Sequence, residues 1–361
     1  MINYLKRNNN QKKIILYGLG NAGKKIIEIV SKYEIPIFKI IDNNEKLWWT
    51  TYKGIEIVPA DYLHQIDREN VIVFIGCTDI RKIKNELKSI GIREMYRDKD
   101  LFREKVESME PIRFQCSENP VVSIVITAKN DFEYTYNCLK SIAQHKTEIP
   151  YEILLGDDCS IDETSVAENY FEGVKVIHYI EPMHYLGNCN ATIAQAKGEF
   201  IYLLGNDILI TQNRFLETFL NKFEDSIGAI GGKTIVPCND TISEVTAFVY
   251  DKQGSYHRIK EDKEQDADFI LVTNMMIRKS IWEKVGGYSK EYLPAYYEDN
   301  DLCLKIKDAG YRLKYVGEGT QVIHYEGVTV SQHSTNAEKN RKFFLQKWKK
   351  VFPEFLEIKN S

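Results

Sequence analysis

From residue 131 onward, carboxylates gather at four stations: Asp131, Asp157-Asp158, Asp207, and the run Glu298-Asp299-Asn300-Asp301. Each lies at the end of an apolar run or at the start of a helical period. Carboxylate oxygens hold hard cations and, suitably placed, take protons. One acidic pair alone usually reads as a solvated turn. Several at the ends of parallel strands can reach one crevice, and that edge is where an open α/β sheet binds its ligand.

The elements that must position them are legible as alternating strand and helix patterns. Val121 to Ile126 reads as a strand and Glu133 to His145 as a helix. Glu152 to Gly156 and Glu199 to Leu204 are strands that run straight into Asp157-Asp158 and Asn206-Asp207. Further on, 246–259 reads as a hairpin and Phe269 to Ile277 as one strand. Lys279 to Val285 is a helix stopped by Gly286-Gly287, and Asp299 to Ala309 a helix stopped by Gly310. Tyr311 to Val316 and Thr320 to Tyr325 close the pattern as strands.

An earlier α/β unit spans roughly Lys12 to Arg103. An apolar run, Ile14 to Tyr17, leads into Gly18-Leu19-Gly20-Asn21-Ala22-Gly23 and then a helix with Ile26, Ile27, Val30 and Tyr33 on one face. The next strand ends in Asp42. Strand–helix alternation makes a parallel sheet the economical expectation. The domain plan is therefore a small Rossmann-like α/β domain over 1–105, a linker over 106–120, a larger α/β domain over 121–335, and a basic amphipathic helix over 336–361.

Composition narrows the class. The chain has 361 residues, 43% hydrophobic and 28% charged, with a net charge of -4, which is the balance of a globular protein without a basic field for nucleic acid. Seven cysteines form no Cys-x-x-Cys pair, which fits a reducing compartment and argues against a disulfide framework or a zinc site. No apolar run approaches ~20 residues and the N-terminus lacks an apolar leader core, so a cytoplasmic location is expected.

The stretches Val121 to Asn130 and Glu152 to Thr164 resemble the opening strands of the family 2 glycosyltransferases of GT-A fold. The second carries that family's Asp-Asp-x-Ser-x-Asp-x-Thr run at Asp157, Asp158, Ser160, Asp162 and Thr164. Gly187 to Asn190, Ala196 to Leu204, Gly286-Gly287-Tyr288, Glu298 to Lys305, Ala309 to Tyr311 and Val322 to Gly327 match its later blocks in order. The resemblance implies a GT-A-type nucleotide-diphospho-sugar transferase domain and an inverting transfer from a nucleotide sugar, UDP- or dTDP-linked by preference. The acceptor it implies is a hydroxyl of a glycan or lipid-linked glycan in bacterial surface polysaccharide synthesis.

By the same resemblance Asp299 is the general base, with Glu298 beside it. Thr127, Lys129, Asn130, Asp157, Asp158, Asn190 and Asn206 face the nucleotide and donor. Asp207 is the carboxylate for Mn²⁺ or Mg²⁺ and His324 its partner, while Thr273-Asn274 lines the acceptor side. The family usually shows Asp-x-Asp where this chain has Gly205-Asn206-Asp207; rhamnosyltransferase-like members often carry Asn-Asn-Asp there.

Gly18, Gly20, Gly23 and Asp42 form a candidate ligand loop in the context of a dinucleotide fingerprint. The unit is half the usual size for that role and resembles small Rossmann-like domains beside sugar-modifying enzymes, so a structural or assembly use ranks first. The tail helix carries Lys339, Arg341, Lys342, Lys347, Lys349 and Lys350 around Phe343, Phe344, Leu345 and Trp348. It either lies on an anionic membrane or packs its aromatics on the larger domain. Two other functional readings stand beside the transferase: a nucleotide-sugar-binding scaffold whose site has decayed, and an NAD(P)-dependent sugar oxidoreductase centred on the glycine loop.

Overall fold

The computed structural model describes residues 5–6, 11–77, 79–102, 109–238, 241–244, 247–250, 256–259, 262–325 and 334–351. The chain divides into two compact units, Met1–Met109 and Glu110–Ser361. Glu326 and Gly327 of the terminal histidine block, residues 246 and 251–255 of the expected hairpin, 106–108 of the expected linker and 352–361 of the expected tail helix lie outside the described residues.

In the first unit, β1 (Lys13–Tyr17) buries its four apolar residues and leads into α1 (Asn21–Lys32), whose Ile26, Ile27 and Val30 face inward at helical spacing. The strands β2 (Lys39–Ile41), β3 (Thr51–Tyr52), β4 (Ile55–Val58), β5 (Val71–Ile75) and β6 (Glu94–Tyr96) complete a sheet in the order β3-β4-β2-β1-β5-β6. Every pair is parallel except β3 with β4. The helix α2 (Ile80–Ser89) links β5 to β6, with the Asp79 side chain capping its first turn. Gly18 has φ +94°, and a Cβ on Gly23 would fall 2.1 Å from the Gly18 carbonyl oxygen. These glycines let the loop and the helix cross at backbone contact.

After a short strand at Ile112–Arg113, the second unit continues with β7 (Val122–Ala128), buried along its whole length, then α3 (Phe132–Gln144), β8 (Tyr151–Asp157), β9 (Lys175–His178), α4 (His184–Ile193) and β10 (Phe200–Gly205). These four strands are parallel in the order β9-β8-β7-β10. Near-continuous apolar runs suit strands covered on both faces. The chain goes out from β7 in both directions, so the carboxyl ends of β7, β8 and β10 flank a topological switch point.

Past β11 (Ile208–Ile210) and α5 (Phe215–Leu220) come β12 (Ile227–Gly232), β13 (Thr234–Cys238), β14 (Thr241–Glu244), β15 (Ala247–Tyr250), β16 (Tyr256–Arg258), β17 (Gln265–Ala267), β18 (Phe269–Ile270) and β19 (Asn274–Arg278). The helices α6 (Lys279–Val285) and α7 (Glu298–Asp308), the strands β20 (Arg312–Val316) and β21 (Val322–His324), and α8 (Ser334–Trp348) follow. Among the described residues the main sheet extends as β9-β8-β7-β10-β19-β12-β20-β17, with β19 antiparallel to both neighbours. A second sheet runs β11-β21-β13-β14 and a third β16-β15-β18.

Phe269 to Ile277, read from sequence as one strand, is two. β18 joins β15 in the small sheet, the chain turns at Leu271–Thr273, and β19 enters the main sheet. Both pieces are apolar, so periodicity cannot mark the change of sheet. The expected linker also differs: Ile112 and Arg113 pair with Phe171 and Glu172, and Phe114 is buried, so Glu110–Pro120 folds with the second unit.

Asn274 ties the strands together. Fully buried, it accepts from the Tyr202 hydroxyl at 2.8 Å and donates to the carbonyls of Lys233 and Thr320 at 3.0 and 2.9 Å. Its neighbour Gly232 has no room for a Cβ, which would meet the Asn274 amide at 2.4 Å. Asn274→Ala takes this partner from three buried polar groups, and an unfolding titration in urea should show a loss of about 3 kcal/mol.

Candidate active site

Strand register sets the floor of the crevice. Thr127 of β7 lies between Gly156 of β8 and Gly205 of β10, so three carboxyl ends are aligned side by side. Their loops interlock. Asn130, with φ +56°, receives the Ile161 amide on its Oδ1 and gives its own N–H to Ser160 Oγ. Asp162 accepts from the amides of Phe132 and Thr164, capping the start of α3 and of the short turn after it. The Asp-Asp-x-Ser-x-Asp-x-Thr run is thus largely a loop-building device.

Asp157 and Asp158 are 2% and 3% exposed, and both are engaged by protein groups. Asp157 accepts from the Ser160 amide at 3.0 Å and from His178 Nδ1 at 2.7 Å, while the other ring nitrogen of His178 meets Glu168 at 2.8 Å. Burial alone lowers the His178 pKa, but its bonds to Asp157 and Glu168 outweigh that and raise it. Asp158 accepts from the Met183 amide and pairs with Lys129 Nζ at 3.2 Å. Thr127 stays near the crevice floor.

At the end of β10, Asn206 donates to Thr135 Oγ1 at 3.1 Å and Cys138 Sγ lies 3.6 Å from the Gly205 carbonyl, so α3 carries this loop. Antiparallel pairing of β11 with β21 sets Ile208 opposite His324. It brings His324 Nε2 to 3.3 Å from Asp207 Oδ1, both side chains about 15% exposed. The two residues expected to meet across distant sequence do meet. Among the described residues no group of three or more His, Cys, Asp and Glu side chains converges for a metal. Gly205 has a local reason: a Cβ there would stand 2.8 Å from Asp207 Oδ1, the same oxygen that meets His324.

Glu298 and Asp299 occupy the first turn of α7, after Tyr297 in a left-handed conformation (φ +70°). Asp299 receives the Tyr288 hydroxyl at 3.2 Å and the Val272 amide at 3.5 Å. Val272 precedes Asn274, which pairs with Leu204 of β10, so this turn borders the carboxyl end of β10. Burial pushes the Cys189 thiol up, Thr127 lowers it, and the charges of Asp299 and Glu298 raise it further.

Burial raises the pKa of both acids, and the charge of Asp299 raises Glu298 further; Tyr288 and the Val272 amide hold Asp299 down in part. Glu298 Oε2 and Thr273 Oγ1 are buried without a hydrogen-bond partner among the described residues. Asn190 was expected at the donor. Its amide instead clasps the backbone of Tyr288, giving Nδ2–H to the carbonyl and taking the N–H on Oδ1, each at 2.9 Å. Gly287 (φ +56°) lets that clasp close, because a Cβ would lie 2.4 Å from Asn190 Oδ1. Asn190 positions Tyr288, and Tyr288 holds Asp299. Sequence reading missed Tyr288 as an individual residue, although it stood in the Gly286-Gly287-Tyr288 block; His178, a lone histidine, gave no signal.

In the first unit Asp42 binds its own loop, taking the Leu19 amide on one oxygen and the Asn44 amide on the other. Gly18 and Gly23 are in mutual backbone contact. The α8 helix turns its aromatics inward: Phe344 and Trp348 are each 4% exposed and lie in the core of the second unit. Among the described residues no helix is long and apolar enough to cross a membrane.

A mostly parallel sheet that ends in carboxylates and is completed by a smaller mixed sheet is the architecture of a GT-A nucleotide-sugar transferase domain. Residues 123–286, within the second unit, match the sequence model of glycosyl transferase family 2, and the sheet they build has the GT-A fold. Residues 10–96 match a model described as C2185-like, N-terminal.

Among solved structures, the chain is similar to GalNAc-T7 with UDP, GalNAc and Mn²⁺, at a TM-score of 0.54 and 16% identity over 66% of this chain and 50% of that one. It also matches the mannosyltransferase PcManGT from Pyrobaculum calidifontis in complex with GDP-Man and Mn²⁺, at a TM-score of 0.42 and 13% identity over 59% of each chain. A curated relative, uncharacterized protein y4gI of Sinorhizobium fredii (strain NBRC 101917 / NGR234), is 22% identical over 244 residues, 62% of this chain. The matched region spans 26% of that relative's length.

Proposed function

We propose that the chain is an inverting glycosyltransferase that moves a sugar from a nucleoside-diphosphate sugar, UDP- or dTDP-linked by preference, to a hydroxyl of a glycan or lipid-linked glycan in bacterial surface polysaccharide synthesis. The observation that carries the reading is the Glu298–Asp299 turn, two enclosed carboxyls with raised pKa beside the carboxyl ends of the sheet. A raised pKa makes Asp299 a stronger base toward an acceptor hydroxyl. In the transfer the acceptor oxygen bonds to the anomeric carbon, its proton passes to Asp299, and the bond to the diphosphate oxygen breaks. One displacement inverts the anomeric centre and needs no covalent intermediate.

Asp207 and His324 suit a divalent cation. They would supply one carboxylate and one imidazole, which lie at mutual contact. Such a cation, when bound, offsets charge on the departing diphosphate. GalNAc-T7, named above, is seen with UDP and Mn²⁺, which supports Mn²⁺ or Mg²⁺ as the cofactor. With Asp157 and Asp158 engaged by their own loop, Thr127 and the backbone of that loop are the groups we assign to the nucleotide base, at a cytoplasmic site.

A second reading, a nucleotide-sugar-binding scaffold without transfer, draws on the lack of a third metal-binding side chain at Asp207 among the described residues. Thermal melting with UDP, dTDP, GDP, CDP and NAD, with and without Mn²⁺, separates the possibilities. A ligand at about 100 times its Kd adds about 2.7 kcal/mol of stability. The expected result is a manganese-dependent rise with UDP or dTDP, followed by release of that nucleotide from its sugar when acceptor is supplied. Binding without release selects the scaffold, and a response to NAD alone overturns both.

A further inference from the structure

The face of α8 that meets the core carries Asn340, Phe344, Lys347 and Trp348, spaced so that all four share one side of the helix. Asn340 is fully buried. Its two amide N–H groups are shared among three carbonyls of the loop before α7, with Nδ2 at 2.8 Å from Tyr292 O, 2.9 Å from Ala295 O and 3.1 Å from Tyr296 O. That loop ends in Tyr296 and Tyr297, both left-handed at φ +83° and +70°. Tyrosine adopts such values only where its surroundings impose them. The next residue is Glu298.

Two turns further along α8, Lys347 Nζ and Trp348 Nε1 both donate to Asp301 Oδ1, at 2.7 and 2.8 Å. Asp301 is 1% exposed and also accepts from the hydroxyls of Ser289 and Tyr292. Burial alone would raise its pKa, but the bonds from Lys347, Ser289 and Trp348 prevail and hold it low, so it stays ionised. Phe344 packs on Tyr297 and Phe343 on Tyr292, with ring centroids 5.4 and 5.3 Å apart. One helix thus grips the chain just before Glu298 and again just after Asp299.

We propose that α8 is a clamp that sets the position of Glu298 and Asp299, with Asn340 and Trp348 as positioning residues for glycosyl transfer. The inference rests on the reading of Asp299 as the base, but its structural half is independent of it. A helix that merely completed the core would stabilise the whole unit evenly. A clamp acts first on 292–301 and leaves the parallel strands alone.

The test uses the full chain with Asn340→Leu, which keeps volume but removes the donors, and Trp348→Phe, which keeps a ring but removes the N–H. Amide hydrogen exchange of segment 292–303 should accelerate by about tenfold or more in each, with 122–128 and 200–205 unchanged. Uniform acceleration across the second unit, or none, overturns the clamp.

Glu298→Gln is then added to the wild type and to Asn340→Leu. In the wild type this change should raise the melting temperature more at pH 8 than at pH 5, because it removes a buried charge. In Asn340→Leu the extra rise should vanish as Glu298 becomes hydrated, and its persistence counts against the clamp. With any nucleotide sugar the wild type consumes, both variants should lose kcat with donor KM unchanged. If the wild type consumes none, the transferase reading fails while exchange and melting still decide the clamp. Should Asn340→Leu not fold, Trp348→Phe carries both the exchange comparison and the Glu298→Gln cycle.

Discussion

Asp299→Asn abolishes the base and is expected to lower the transfer rate about 10²–10⁴-fold, the usual contribution of a positioned proton acceptor. The substitution keeps the side chain's size and an oxygen for the Tyr288 hydroxyl, so nucleotide-induced stabilisation should persist. The pH profile gives a second readout. Burial raises the pKa of Asp299, so the acid limb of kcat/KM should lie above the ordinary carboxylate range and activity should fall as pH drops through it.

The sign for stability is opposite. A carboxyl whose folded pKa is raised contributes stability below its unfolded pKa and loses it as pH rises through the folded value. Asp299→Asn escapes that loss, so the variant should melt higher than the wild type at pH 8 and the two should converge near pH 4. An inactive variant that melts lower at pH 8 would mean that Asp299 is a structural capping acid.

Asp207→Asn should remove the manganese dependence of nucleotide binding. It takes away the carboxylate charge that meets His324 and keeps a side chain of the same shape. With the cation's charge stabilisation worth several kcal/mol, the transfer rate should fall by about 10³-fold. Titration calorimetry of the responding nucleoside diphosphate with and without Mn²⁺ checks the binding half. Retained manganese coupling in this variant would place the cation elsewhere.

The strands and helices around the site were largely readable, because each is a dense apolar run closed by a glycine or an acid. Lys279–Val285 and its stop at Gly286 follow from helical period and a left-handed cap (φ +76°). The pairing of Asp207 with His324, residues far apart in sequence, was reached only through the family resemblance; no local pattern encodes it. Side-chain allegiance was harder still. Asn190, Asp157 and Asp158 are residue types that suit a ligand, and all three are engaged by nearby backbone. What decides is the three-dimensional neighbour, Tyr288 for one and the Ser160 and Met183 amides for the others. Asn340 could not be singled out from sequence because a buried asparagine on a lysine-rich helix looks like any solvated one.

Gly205 acts as a tuning point. The oxygen of Asp207 that meets His324 is the one a side chain at 205 would crowd. That oxygen is the free end of a flexible side chain, so a methyl at 205 is met by rotation of the carboxylate and not by movement of the strand. Changes at this position therefore adjust the reach between Asp207 and His324 while the backbone that carries them stays in register.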